Sequence, residues 1–171
     1  PVLTFRSDPL TVFSTGGTLG RRGVARHPGR GAASDSLPSV GRQVVDWADG
    51  AVLMLRLELV RELGGFDASY FLYVEEIDML VRMRRAGYST IVDYEARAQQ
   101  EPGNYRSYLR YRNSVFFCDK HRESFLPWPW ARQILRDSIR VLIGRAHPQD
   151  LVGAMVGVVD ARHRRMGRPD A

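Results

Sequence analysis

Glu75, Glu76 and Asp78 follow directly on the aromatic run Tyr70-Phe71-Leu72-Tyr73-Val74. Carboxylates this close raise one another's proton affinity, so one of them can take a proton from a hydroxyl near neutral pH while its neighbours support it. A plainer reading stands beside that one. Acids in the first turn of a helix are stabilised by its dipole by about 0.3–1 kcal/mol, and Asp78 with Arg82 makes an ordinary i, i+4 pair. A glycosidase pair is disfavoured, because retaining enzymes hold two carboxyls about 5 Å apart and draw them from separate elements. A metal centre needs further ligands, and His27, His121, His147 and His163 share no spacing. The residues alone leave proton abstraction and helix capping both open.

The helix that must carry the acids is expected from about Leu72 to Ala86, with Tyr73, Ile77, Leu80 and Val81 on its apolar face and Gly87 as its stop. Upstream, Leu55, Leu59 and Leu63 step by four and give a short amphipathic helix, ended by Gly64-Gly65 in a left-handed cap. The run Ala51-Val52-Leu53-Met54-Leu55 reads as a short buried strand. Trp47 reads either as core or as an exposed platform for a sugar. Residues 2–6 read as a strand, and residues 14–40 as a long irregular loop with a short hairpin around Phe13. Within that loop, Thr15-Gly16-Gly17-Thr18-Leu19-Gly20 suggests a phosphate cradle or a flexible loop.

Downstream, a β-rich run over 89–94 and an extended stretch over 93–100 precede a helix over 105–121 with an aromatic and a cationic face. Pro127 and Pro129 break the chain. Trp128 and Trp130 then lead a helix to Arg145 in which Arg132, Arg136 and Arg140 step by four. Such a helix fits a membrane interface, and it equally fits packing onto its own domain with the arginines in solvent. A weaker helix follows over 151–168.

With 171 residues and 44% hydrophobic content the chain can bury the core of one ordinary domain. Its net charge of +6 invites a polyanionic partner. However, Lys120 is the single lysine among 25 basic residues, a skew that a GC-rich genome produces unaided, so no specific nucleic acid is expected. Cys118 stands alone and excludes an intramolecular disulfide or a cysteine-based zinc site. No apolar run approaches the roughly 20 residues that span a bilayer, and no basic-then-apolar leader opens the chain. The first residues read as the middle of a protein, so truncation is expected.

The ordered series Val45-Asp46-Trp47-Ala48-Asp49-Gly50-Ala51, Gly64-Gly65-Phe66-Asp67, Phe71-Leu72-Tyr73-Val74-Glu75-Glu76-Ile77-Asp78 and Arg82-Met83-Arg84-Arg85-Ala86-Gly87-Tyr88 resembles the C-terminal half of family 2 glycosyltransferases of the rhamnosyl- and galactofuranosyltransferase type. Arg112-Asn113 matches an Arg-Asn pair common in that group. The resemblance covers about residues 44 to 121. It implies an α/β fold: a partial GT-A-like mixed sheet with packed helices, followed by C-terminal amphipathic helices. Residues 1–122 then form the C-terminal part of a GT-A domain (1–43 a strand and Gly/Arg-rich loop, 44–122 the acceptor-side core), and 123–171 a basic helical tail.

The resemblance also implies transfer of a sugar from a nucleotide-sugar donor to a glycan or lipid-linked acceptor hydroxyl, with inversion. Glu76 takes the place of the catalytic base, with Glu75 beside it and Asp78 supporting. Trp47, Asp49 and Gly50 fall where substrate is bound. The family uses a divalent metal, Mn or Mg, and the expected location is the cytoplasmic face of the membrane, with surface contact through Trp128, Trp130 and the basic helix. This sequence departs from the pattern in three places. Glu76 stands where the family usually has Asp, Gln100 stands where members carry a metal-binding His, and the nucleotide-binding half with its Asp-x-Asp motif is absent. An isolated chain of this kind is expected to be inactive, and a non-catalytic domain binding glycan, membrane or a partner subunit is the alternative.

Overall fold

The computed structural model describes residues 1–21, 23, 25–101, 103, 107–125 and 130–169. It is a mixed α/β chain, consistent with the expected partial GT-A-like class, and forms two compact units. One, rich in strands, comprises residues 1–19, 25–66 and 76–103; the other, helical, comprises 20–24, 67–75 and 104–171.

In the strand-rich unit, β1 (Val2–Phe5) lies between β2 (Val12–Ser14), antiparallel to it, and β7 (Arg97–Gln100), parallel to it. β3 (Thr18–Leu19) pairs with β4 (Ala25–Arg26), and β5 (Arg42–Val45) with β6 (Thr90–Asp93), both antiparallel. The alternation of a pleated strand decides what is buried: in β6, Ile91 is exposed while Val92 joins Val2 and Val45 in the core. The hairpin expected around Phe13 is β1 with β2.

Two expectations fail in this unit. The run 51–55 is not a strand; it is turn and coil, with Met54 almost fully exposed, and the strand lies upstream at β5. The glycine-rich piece is neither a phosphate cradle nor a loose loop. Gly17 N–H donates to Trp47 O at 3.0 Å, Gly16 N–H to Ser14 Oγ at 3.1 Å and Leu19 N–H to Asp46 Oδ2 at 2.8 Å, so the amides an anion would need are already engaged.

α1 (Leu57–Glu62) forms as expected and stops at Gly64 and Gly65, at φ +79° and +77°. α2 (Glu75–Arg85) buries Ile77, Met79, Leu80, Val81 and Met83 and ends before Gly87 at φ +90°. It begins three residues later than periodicity suggests, so Tyr73 lies outside it.

The helical unit is built from α3 (Ser107–Lys120), α4 (Trp130–Leu142) and α5 (Pro148–Arg162). α3 and α5 approach closely because Gly157 has no side chain: a Cβ there would sit 2.4 Å from Tyr108 O and 3.0 Å from Arg112 N. Tyr111, Val115, Ala154, Val158 and Ala161 form the core, and Ile134 of α4 packs against it. Polar links reinforce the packing: Tyr108 OH donates to Asp160 at 2.9 Å, and Tyr111 OH and Arg110 both donate to Asp137, at 2.6 and 2.7 Å. The expected cationic face of α3 is therefore not a solvent face. Arg112 is 1% exposed, and Arg110 is paired across to α4.

Candidate active site

The acids begin α2, and the boundary between the two units falls between them: Glu75 closes the helical unit's share of the chain and Glu76 opens the strand-rich unit's.

In the strand-rich unit, Glu76 is half-buried and lies against Gly50. A Cβ built on Gly50 would stand 3.3 Å from both Cβ and Cγ of Glu76, so the glycine lets backbone come up to the acid's stem. Two residues that sequence reasoning placed in one site, 26 positions apart, are thus brought together. Asp49 is half-buried and its carboxylate accepts the Ala51 N–H at 3.1 Å, an Asx turn that shapes the chain beside Gly50.

Trp47 is 2% exposed, so its ring is core and not a platform in solvent. It meets His27 edge-on at 4.5 Å, and its Nε1 is buried without a hydrogen-bond partner among the described residues. Burial, with the Arg30 cation adding to it and Asp49 opposing, holds His27 below the ordinary histidine range. Asp46 pairs with Arg84 as well as with the Leu19 amide.

Asp78 is completely buried. Its Oδ2 accepts from Arg82 Nε at 2.8 Å, and the same guanidinium donates to Leu63 O at 2.6 Å and Gly65 O at 2.7 Å. Arg82 so closes the carbonyl end of α1, and Asp78 balances its charge. Asp78, expected among the substrate-binding residues, is buried and engaged in this i, i+4 pair.

In the helical unit, the segment leading to Glu75 has an unusual backbone. Phe71, Tyr73 and Val74 have φ of +63°, +71° and +76°. Non-glycine residues rarely adopt this region, a β-branched one least of all. Each such residue costs about 1–3 kcal/mol and persists only where its surroundings over-determine it. The Asp67 carboxylate starts the segment by accepting from Ser69 N–H at 2.9 Å and Lys120 Nζ at 2.7 Å. Burial pushes Asp67 upward, but the hydrogen bonds from Lys120 and Ser69 outweigh it and hold the acid below its usual range. Gly167 N–H donates to Ser69 O at 2.7 Å, and Arg168 lies over the Phe71 ring at 5.9 Å. Glu75 is held above the ordinary glutamate value by burial, its own backbone N–H partly offsetting this, and its Oε2 is buried without a hydrogen-bond partner among the described residues.

Sequence reasoning missed the part played by Arg112 and Asn113. Both are fully buried, and both reach the backbone of the segment before Glu75. Their signal was present only as a family dipeptide, since helical periodicity placed Arg112 on a cationic face and named no partner for it.

Cys118 is buried and its thiol is pushed up to about 12 by desolvation, which removes it from nucleophilic chemistry. Gln100 carries an amide, a poor ligand for Mn²⁺ or Mg²⁺, and no group of three His, Cys, Asp or Glu converges among the described residues. On α4, Leu135, Ile139 and Leu142 are exposed, as are Arg132, Arg136 and Arg140, and Ile143 just after it is exposed too. Trp128 and the side chain of Trp130 lie outside the described residues. No helix among the described residues is long and apolar enough to cross a membrane.

Over 104 residues the chain is 26% identical to the N-acetylglucosaminyl-diphospho-decaprenol L-rhamnosyltransferase of Mycobacterium tuberculosis, in strains CDC 1551 and H37Rv alike, a match covering 56% of this chain and 32% of that enzyme. A stretch of 44 residues is 41% identical to the rhamnosyltransferase WbbL of Escherichia coli K12, covering 26% of this chain and 17% of WbbL. No protein-family profile matches the chain, and no solved structure does. The match thus spans about a third of the mycobacterial enzyme, and the chain is distantly similar to these two rhamnosyltransferases.

Proposed function

We propose that this chain is the acceptor-side part of an inverting family 2 glycosyltransferase of GT-A type, with Glu76 as the base. The observation that carries the proposal is the pairing of Glu76, in the first turn of α2, with the Gly50 backbone, which leaves the acid's stem against a surface without a side chain. Glu76 takes the proton of an acceptor hydroxyl as that oxygen attacks the anomeric carbon, and the nucleoside diphosphate departs from the opposite face. Glu75, half-buried and held above the ordinary glutamate value by burial, stands next to Glu76 in the chain as the supporting acid. Asp78 acts through Arg82 and the end of α1. Trp47, Asp49 and Gly50 shape the acceptor side, Trp47 as the buried floor beneath it.

The donor is a nucleotide-sugar, and the acceptor a glycan or a lipid-linked sugar at the inner face of the cell membrane. The mycobacterial relative's name, with its diphospho-decaprenol, supports a lipid-linked acceptor. The exposed Leu135, Ile139 and Leu142 beside Arg132, Arg136 and Arg140 support contact of α4 with an anionic bilayer surface. In this reading donor phosphates and any metal are held outside this chain, and the chain alone does not turn over. A second reading, a non-catalytic domain that binds glycan, membrane or a partner, is favoured by Gln100 in place of the family's histidine. The complete gene product, given a nucleoside-diphosphate L-rhamnose and a prenyl-diphosphate-linked N-acetylglucosamine, separates the two. Glu76→Gln is expected to lower transfer by about 10²–10⁴-fold; undiminished transfer removes Glu76 as base.

A further inference from the structure

The positive-φ turn Phe71–Val74 is followed at once by the two acids, so its shape decides where α2 begins and where Glu75 and Glu76 are presented. The turn lies in the helical unit and is gripped there from α3. Asn113 Nδ2 lies 2.9 Å from Tyr70 O, 2.7 Å from Leu72 O and 2.8 Å from Tyr73 O. Three carbonyls pointing at one amide nitrogen is what a chain folded back on itself produces, and an extended or helical segment cannot do it. Arg112 Nε donates to Asn113 Oδ1 at 3.0 Å, which fixes the amide so that its nitrogen faces the turn, and Arg112 Nη2 donates to Tyr70 O at 3.0 Å. Asn113 is fully buried and Arg112 is 1% exposed, so water does not compete for these bonds.

We propose that Arg112 and Asn113 are positioning residues: together they hold the strained Phe71–Val74 turn closed and thereby set the placement of the acid pair that starts α2. They act through the turn backbone. The consequence for catalysis rests on the reading of Glu76 as base; the clamp itself does not.

The test uses Asn113→Asp, which keeps the size of the side chain but removes the donors, with Arg112→Lys as the milder variant. In the protein, hydrogen exchange at the amides of residues 71–76 is expected to rise at least about tenfold in both variants, while the amides of α5 hold their rates. The titration of the Glu75 carboxyl, followed by carbon NMR, is expected to move down toward an ordinary glutamate as the turn loosens and admits water. Adding Val74→Gly, which suits the left-handed backbone, is expected to restore part of the protection lost in Asn113→Asp. In the complete gene product, the transfer assay is expected to show kcat lowered by about tenfold to a hundredfold with KM little changed, as for a misplaced catalytic group.

Unchanged exchange at 71–76, or a rise shared equally with α5, overturns the clamp, since the first shows no grip and the second only lost stability. If exchange and titration respond while Glu76→Gln transfers normally, the clamp stands and the base assignment falls.

Discussion

The two units use buried polar side chains differently. In the strand-rich unit, buried Asp78 meets Arg82 one helical turn along the same helix, and Arg82 continues to the end of α1. In the helical unit, buried Arg112 and Asn113 reach backbone carbonyls 40 to 43 positions earlier in the chain. The first arrangement stabilises elements that periodicity already favours. The second imposes on Phe71, Tyr73 and Val74 a backbone that their own preferences oppose. A short-range pair supports regular structure, while a long-range pair sculpts an irregular one, and the acids sit where the irregular piece hands over to the regular one.

The comparison can be broken most sharply at Asp78. Asp78→Ala leaves the guanidinium of Arg82 without its buried partner, and a loss of about 3–5 kcal/mol is expected by denaturant unfolding; a loss below 1 kcal/mol shows that the pair is not what secures α1 against α2. A smaller effect is expected where α3 and α5 meet at Gly157. Gly157→Val drives a side chain into Tyr108 O and Arg112 N, with an expected loss of about 1–3 kcal/mol from overpacking, and the Asn113 grip on the turn loosens with it, visible as faster exchange at 71–76.

Glu75 gives a pH-dependent test. Its folded-state proton affinity lies above the unfolded value of 4.5, so the folded protein binds this proton more tightly and stability falls as pH rises from 4.5 through the raised folded value. Glu75→Gln is therefore expected to melt higher than the unsubstituted protein at pH 7, with the advantage gone below pH 4.5. A stability gain that persists in acid contradicts the assignment. The least effect on stability is expected at α4, where Ile139 is exposed. Ile139→Glu should change stability by no more than about 0.5 kcal/mol while weakening sedimentation with vesicles containing anionic lipid; equal sedimentation removes the membrane contact.

The legibility of the fold followed the range of the interactions. α1, its glycine stop, β6 and the i, i+4 pair of Asp78 with Arg82 were readable because each depends on residues within a turn or a strand of one another. The start of α2 was misplaced because Tyr73 and Val74 carry helical periodicity while tertiary hydrogen bonds hold them out of the helix. Ala51 to Leu55 has a strand's composition, but no partner strand pairs with it among the described residues, and composition does not encode pairing. Arg112 was read only as part of a cationic helix face, because nothing local announces that its partner is Tyr70 O. For the candidate site, the acids and Gly50 were legible as types in order, while their contact, the burial of Trp47 and the clamp behind the turn required the folded chain.

The acids themselves offer the most direct measurement. Glu75 and Glu76 are neighbours in sequence but belong to different units, one half-buried beside the clamped turn and one against Gly50. In the complete gene product, steady-state transfer is measured for Glu75→Gln and Glu76→Gln side by side. The account predicts that Glu76→Gln loses about 10²–10⁴-fold in kcat, while Glu75→Gln keeps kcat within about tenfold and shifts the acid limb of its pH profile. Equal losses, or a greater loss at Glu75, contradict it.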